Sequence, residues 1–148
     1  MARPQRLEPV FEPADAFVGI VTNMPVIQLA HFINRVSLLN LVREEDLPVY
    51  NEKTGSTNQH KFYYYQDEDY RSDFSLLANN SSGLNLLPSH KQFNYFLVIQ
   101  GAIPEEKTKQ IVTQISKSIE GVQLAAIISQ EPVKGLGALL QDLEIHLT

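Results

Sequence analysis

Four histidines and two carboxylate runs are the groups in this chain best suited to acid–base or metal chemistry. They are His31, His60, His90 and His146, with Glu44-Glu45-Asp46 and Asp67-Glu68-Asp69. A helical zinc site sets two histidines at i and i+4 on one face, and no two of these four stand at that spacing. Carboxylates act as acids, bases or magnesium ligands when they converge in a partly buried site. Runs beside turns spread their charge into water, and on an edge strand they oppose pairing with other chains. The chain has no cysteine, which excludes disulfides, thiolate zinc sites and thiol catalysis together. Neither a Gly-x-Ser-x-Gly elbow nor a phosphate-binding glycine loop occurs. Gly135-Leu136-Gly137 holds two glycines of a dinucleotide loop without the third, and its expected role is the entry to a helix. The sequence therefore assigns no catalytic residue, no metal ligand and no cofactor. An enzyme with dispersed groups would draw on His90, Asp67, Asp69 and Tyr65, if the turns around them converge.

Charge narrows the partners. Seventeen acidic residues face 12 basic ones, a formal net charge of −5. Nucleic-acid affinity needs a clustered basic face. The densest group, Lys107, Lys109 and Lys117, is interrupted by Glu105, Glu106 and Glu120, so direct nucleic-acid binding is disfavoured. No apolar run nears the roughly 20 residues that cross a bilayer, and no membrane association is expected. Arg3 and Arg6 are not followed by the apolar stretch of a signal peptide, which makes the cytosol the expected compartment.

Phe62-Tyr63-Tyr64-Tyr65 is the most unusual stretch. Strand alternation places Phe62 and Tyr64 on one face and Tyr63 and Tyr65 on the other. One pair is expected in the core, and the other is either an edge or an exposed aromatic platform for a partner.

These residues need a scaffold, and the patterning supplies one. With 148 residues the chain can bury roughly 68–70% of its unfolded surface. Residues 1–15 read as a flexible arm, rich in proline and charge, and 16–148 as one α+β domain. Phe17–Val21 predicts a buried strand. Asn23 then precedes Pro25 as a candidate helix cap, and Leu29, Phe32, Ile33, Val36 and Leu39 give one helical face. Strands are expected over 41–50, 60–66, 74–78 and 95–100, with polar turns at 51–59 and 79–83. Pro104 opens a second helix faced by Ile111, Val112, Ile115 and Ile119, and Gly121 ends it. A strand over 122–129 follows, expected to complete a parallel crossover. Leu136, Leu139, Leu140, Leu143 and Leu147 line a last helix. The predicted order is β-α-β-β-β-β-α-β-α, a mainly antiparallel sheet with helices packed on it.

Leu87-Pro88-Ser89, followed by Asn94-Tyr95-Phe96-Leu97-Val98, resembles the signature of the IPExxxDY family of bacterial proteins. Phe17–Thr22, Val42–Leu47 and Lys61–Asp69 resemble it too, so the likeness spans Phe17 to about Ile128. Leu87 stands where the family has Ile, Ser89 where it has Glu and Asn94 where it has Asp, and the two halves are four residues apart rather than three. The resemblance implies a cytosolic bacterial protein and assigns no activity. Bottom-up, the same stretch reads as the turn before a central strand. The leading expectation is a non-catalytic accessory domain that binds another cytosolic protein through Tyr63, Tyr65, Ser89, His90 and Asn94. A homo-oligomer is left open. The alternatives are the dispersed enzyme and an RNA-processing or ribosome-associated factor, the latter resting on the lysines of the second helix and on the resembled family's gene neighbourhood.

Overall fold

The computed structural model describes residues 14–51 and 54–147. Strand β1 (Ala16–Thr22) leads into helix α1 (Val26–Ser37). The long strands β2 (Val42–Asn51) and β3 (Ser56–Asp67) come next, then β4 (Ser72–Ala78). A small hairpin, β5 (Asn80–Ser81) and β6 (Leu84–Asn85), and a 3-10 turn at Pro88–His90 precede β7 (Tyr95–Gly101). Helix α2 (Glu105–Ser118), strand β8 (Val122–Ile127) and helix α3 (Leu136–Leu147) complete the chain.

Six strands form one sheet in the order β2-β3-β4-β7-β1-β8, with every neighbouring pair antiparallel. This is the expected α+β class, and the element order agrees apart from the additional β5–β6 hairpin. The expected parallel crossover forms in a split version, with α2 joining two parallel strands of the same sheet. Strands β7 and β8 run in the same direction, but β1 lies between them and pairs antiparallel with both. Side chains explain the placement. Phe17, Val18 and Ile20 put fully buried apolar groups on both faces of β1, which suits it to the interior. On β8, Leu124 is 44% and Ile127 47% exposed, and that strand takes the edge.

Alternation along the central strands fills two cores. Ala16, Val18 and Ile20 of β1, with Leu97 and Ile99 of β7, face Leu29, Ile33, Ile111 and Ile115 of α1 and α2. Phe17, Phe96 and Val98 face the other way, onto Leu87, Phe93 and the leucines of α3. Leu136, Leu139, Leu140 and Leu143 are buried as the helical spacing predicts. Gly135, at φ 83°, lies in the left-handed region just before that helix, where a side chain would be strained.

Two local readings change. Asn23 does not cap α1. Pro25 occupies the cap position, and Thr22 Oγ1 accepts a hydrogen bond from Met24 N at 3.2 Å. The predicted arm, 1–15, lies outside the described residues except for its last two. Ala14 is buried, and it exchanges bonds with the Gln130 side chain at 2.8 and 2.7 Å. Asp15 accepts a bond from Gly101 N.

The α3 core gives a direct test. Leu143→Ala should lower unfolding free energy by about 2–5 kcal/mol, through lost transfer energy and the cavity left behind. Ile27→Ala, at a side chain 69% exposed on α1, should stay within about 0.5 kcal/mol. Urea titrations of both variants check the contrast.

Candidate functional site

The aromatic strand is packed on both faces. Phe62 is fully buried toward α3, and the hydroxyl of Tyr64 donates to Asp73 Oδ1 at 2.6 Å. Desolvation, then that bond, raises the Tyr64 hydroxyl well above its ordinary value. Tyr63 is buried on the opposite face, with the Arg43 guanidinium 5.7 Å from its ring centroid. Tyr65, half-buried, stacks on Phe74 at 6.1 Å. Tyr63 is therefore a core residue rather than part of an exposed platform.

Ser89 and His90 sit on the 3-10 turn, with Ser89 Oγ 2.8 Å from His90 Nδ1 and the His90 ring stacked on Phe93 at 6.2 Å. Asn94 has a structural task. Its Oδ1 accepts from Thr22 N at 2.9 Å, and its own N–H donates to Ile20 O at 2.9 Å. The five residues singled out from the sequence do not form one site. Tyr63 and Tyr65 face α1 and α2, whereas the loop that carries Ser89 and His90 packs Leu87 and Phe93 on the other side of the sheet.

The dispersed-enzyme set is also separated. Asp67 pairs with Ser72 at the start of β4, and the loop of His90 follows the end of that strand, so roughly 20 Å of strand lies between. Asp67 Oδ1 is used to hold its own turn, accepting from Asp69 N at 2.9 Å and Tyr70 N at 3.2 Å.

A polar surface forms instead around the β5–β6 hairpin. Ser82 and Gly83 both have positive φ, 50° and 86°, the backbone of a tight two-residue turn. Three adjoining clefts border this hairpin. One of about 320 Å³ is lined by Tyr50, Asn58, His60, Asn85 and their neighbours. The next, about 390 Å³, shares Asn85 and adds Asn23, Asn80, Lys91 and Tyr95. The third, about 450 Å³, shares Asn80 and Tyr95 and adds Asp46, Gln59 and Lys61. Tyr95 anchors the strip, donating its hydroxyl proton to Met24 O at 2.7 Å. Burial holds that hydroxyl above its ordinary value, so it remains a donor.

The loop behind the clefts hangs on Asn79, whose side chain is fully buried. Its Nδ2 donates to Phe93 O at 2.9 Å and His90 O at 3.2 Å, and its Oδ1 accepts from Leu87 N at 3.0 Å. His60 is buried as well, and its Nδ1 donates to Ala78 O at 2.9 Å. Sequence reading weighed His60 only as a metal ligand and passed over Asn80 and Asn85. The only signal was the run Asn79-Asn80-Ser81-Ser82-Gly83, which reads as a turn and nothing more.

In comparisons with known proteins, no family model, no curated protein and no solved structure matches this chain.

Two predictions follow from the packing here. Tyr95→Phe should cost about 0.5–1.5 kcal/mol, the worth of one hydrogen bond. Tyr95→Ala should cost several times more, because it also leaves a cavity. Paired thermal melts measure both. The second concerns pH. Desolvation lowers the His60 pKa below its ordinary 6.5, partly opposed by Ala78 and Asp46. As pH falls, the unfolded chain then takes up that proton before the folded one. The contribution is complete above pH 6.5 and is lost as pH falls from there through the folded value. His60→Gln keeps a donor for Ala78 but does not titrate, so stability measured between about pH 7 and 5 should fall less steeply in that variant than in the parent.

Proposed function

We propose that this is a cytosolic bacterial accessory protein that binds an extended, acidic segment of another protein along the strip around the β5–β6 hairpin. The observation that carries this reading is the chemistry of the lining. Asn23, Asn80 and Asn85 border adjoining clefts, and each side-chain amide offers both a donor and an acceptor. An extended backbone presents the same two groups in alternation. The clefts are joined through Asn85, Asn80 and Tyr95, so an extended chain can follow them round the hairpin.

Charge favours an acidic segment. Lys61 and Lys91 are exposed at the strip, and neither is in an ion pair among the described residues. The nearby Asp46 carboxylate is already held by Arg43. The strip is thus locally cationic on a chain whose net charge is −5. The bacterial and cytosolic setting rests on the family resemblance of the stretch from Leu87 to Val98.

Fluorescence anisotropy with labelled acidic, neutral and basic decapeptides tests the proposal. Acidic peptides should bind saturably and weaken with added salt. Lys61→Glu combined with Lys91→Glu should weaken binding by about tenfold or more while leaving the melting temperature in place, since both side chains are exposed. Equal binding of acidic and basic peptides, or none, would reject the proposal.

A further inference from the structure

The two edges of the sheet differ in how they meet solvent. Strand β2, on one edge, carries Arg43, Glu44, Glu45 and Asp46, a proline at 48 and a register shift between Glu44 and Leu47. Charge, proline and a bulge are the devices by which edge strands avoid pairing with other chains. Strand β8, on the other edge, has none of them over its pairing run. Its sequence, Val122-Gln123-Leu124-Ala125-Ala126-Ile127, has no charge and no proline, and it contributes no residue to the clefts. Its one register shift, between Val21 and Thr22 of β1, falls at the strand's start.

The bonding pattern shows which groups the edge presents. Ile128 N donates to Phe17 O at 2.7 Å. Bonded residues alternate along an antiparallel pair. Leu124 and Ala126 therefore turn their N–H and C=O toward β1, and Gln123, Ala125 and Ile127 turn theirs to the side that has no strand partner among the described residues. Apolar side chains stand exposed on both faces of this edge, Leu124 on the α3 side and Ile127 on the side of α2.

We propose that β8 pairs antiparallel with the β8 of a second copy of this chain, about a twofold axis at Ala125, joining two sheets into one. This register keeps the pairing within the regular strand and forms about six main-chain hydrogen bonds. It sets Leu124 opposite Ala126 and Gln123 opposite Ile127, so apolar groups are covered and no like charges meet. A twofold axis at Glu45 of β2 would set Glu45 opposite its own copy and Glu44 opposite Asp46, like charges throughout, which is why the second copy is the fitting partner for β8 alone.

Sedimentation equilibrium of the full chain across micromolar concentrations should show a dimer. Gln123→Glu with Ile127→Glu places like charges opposite across the axis and should raise the dimer dissociation constant by about tenfold or more. Both positions are exposed, so melting should confirm an intact fold. The matching Gln123→Lys with Ile127→Lys variant should also dissociate, and mixing the acidic and basic variants should restore a dimer. Ala125→Pro, which removes a donor facing away from β1, should abolish it. A parent chain that stays monomeric, an acidic variant that remains dimeric, or folded acidic and basic variants that fail to associate would each overturn the proposal.

Discussion

Asn79 leaves β4 with its amide turned inward, and the segment that follows is organised around it. The side chain binds the backbone of Leu87, His90 and Phe93, while its own N–H and C=O engage Asn94 and Leu86. A buried amide left unpaired would cost about 1–3 kcal/mol, so the loop must bring its carbonyls to that point. Once it does, Leu86, Leu87 and Phe93 are delivered to the core beneath α3. Asn94 passes the constraint on, taking a bond from Thr22 N and so fixing the turn between β1 and α1. The hairpin, the 3-10 turn and the start of β7 all take their positions from this arrangement.

The loop can sit this low only because β1 makes room. A Cβ at Gly19 would lie 2.5 Å from side-chain atoms of both Phe93 and Ile128. Phe93 and Phe96, with ring centroids 6.0 Å apart, then close the layer that Phe17 and Phe96 begin at 5.0 Å. Helices α1 and α2 cover the other face in the ordinary amphipathic way. One face of the sheet is thus roofed by two helices and the other by a helix and a pinned loop. The polar strip lies where that loop reaches the surface.

This arrangement separates two kinds of polar residue. Asn79, Asn94 and Thr22 spend their hydrogen bonds inside the fold, and their replacement would act through stability. Asn80, Asn85, Lys61 and Lys91 border open clefts on the scaffold those bonds hold in place. Charge follows the same division of labour at the sheet edges. The acidic run of β2 keeps that edge solvated, whereas β8, buried against β1 on one side, leaves an uncharged backbone on the other.

Periodicity determined much of this fold in advance, because burial on one face forces a repeat of 3.6 or 2 residues. The faces of α1, α2 and α3, the six main strands and the antiparallel character were all legible from it. So was the entry to β7, since a short polar link before a strongly apolar strand reads as its start, whereas the task of Asn94 at Thr22 N was not. Periodicity says nothing about which strand lies beside which. The insertion of β1 between β7 and β8 was settled by how much apolar surface each strand could bury on both faces. Nor does alternation tell a platform from a core: Tyr63 looked available for a partner until α1 and Arg43 covered it. Asn80 and Asn85 are partners across the β5–β6 hairpin, but His60 stands twenty residues before Asn80, and no local pattern joined it to them until Asn79 tied the end of β4 to the start of β7. A single buried side chain with long-range partners made that decision, and its identity as an asparagine in a turn-like run gave no hint of where those partners would be.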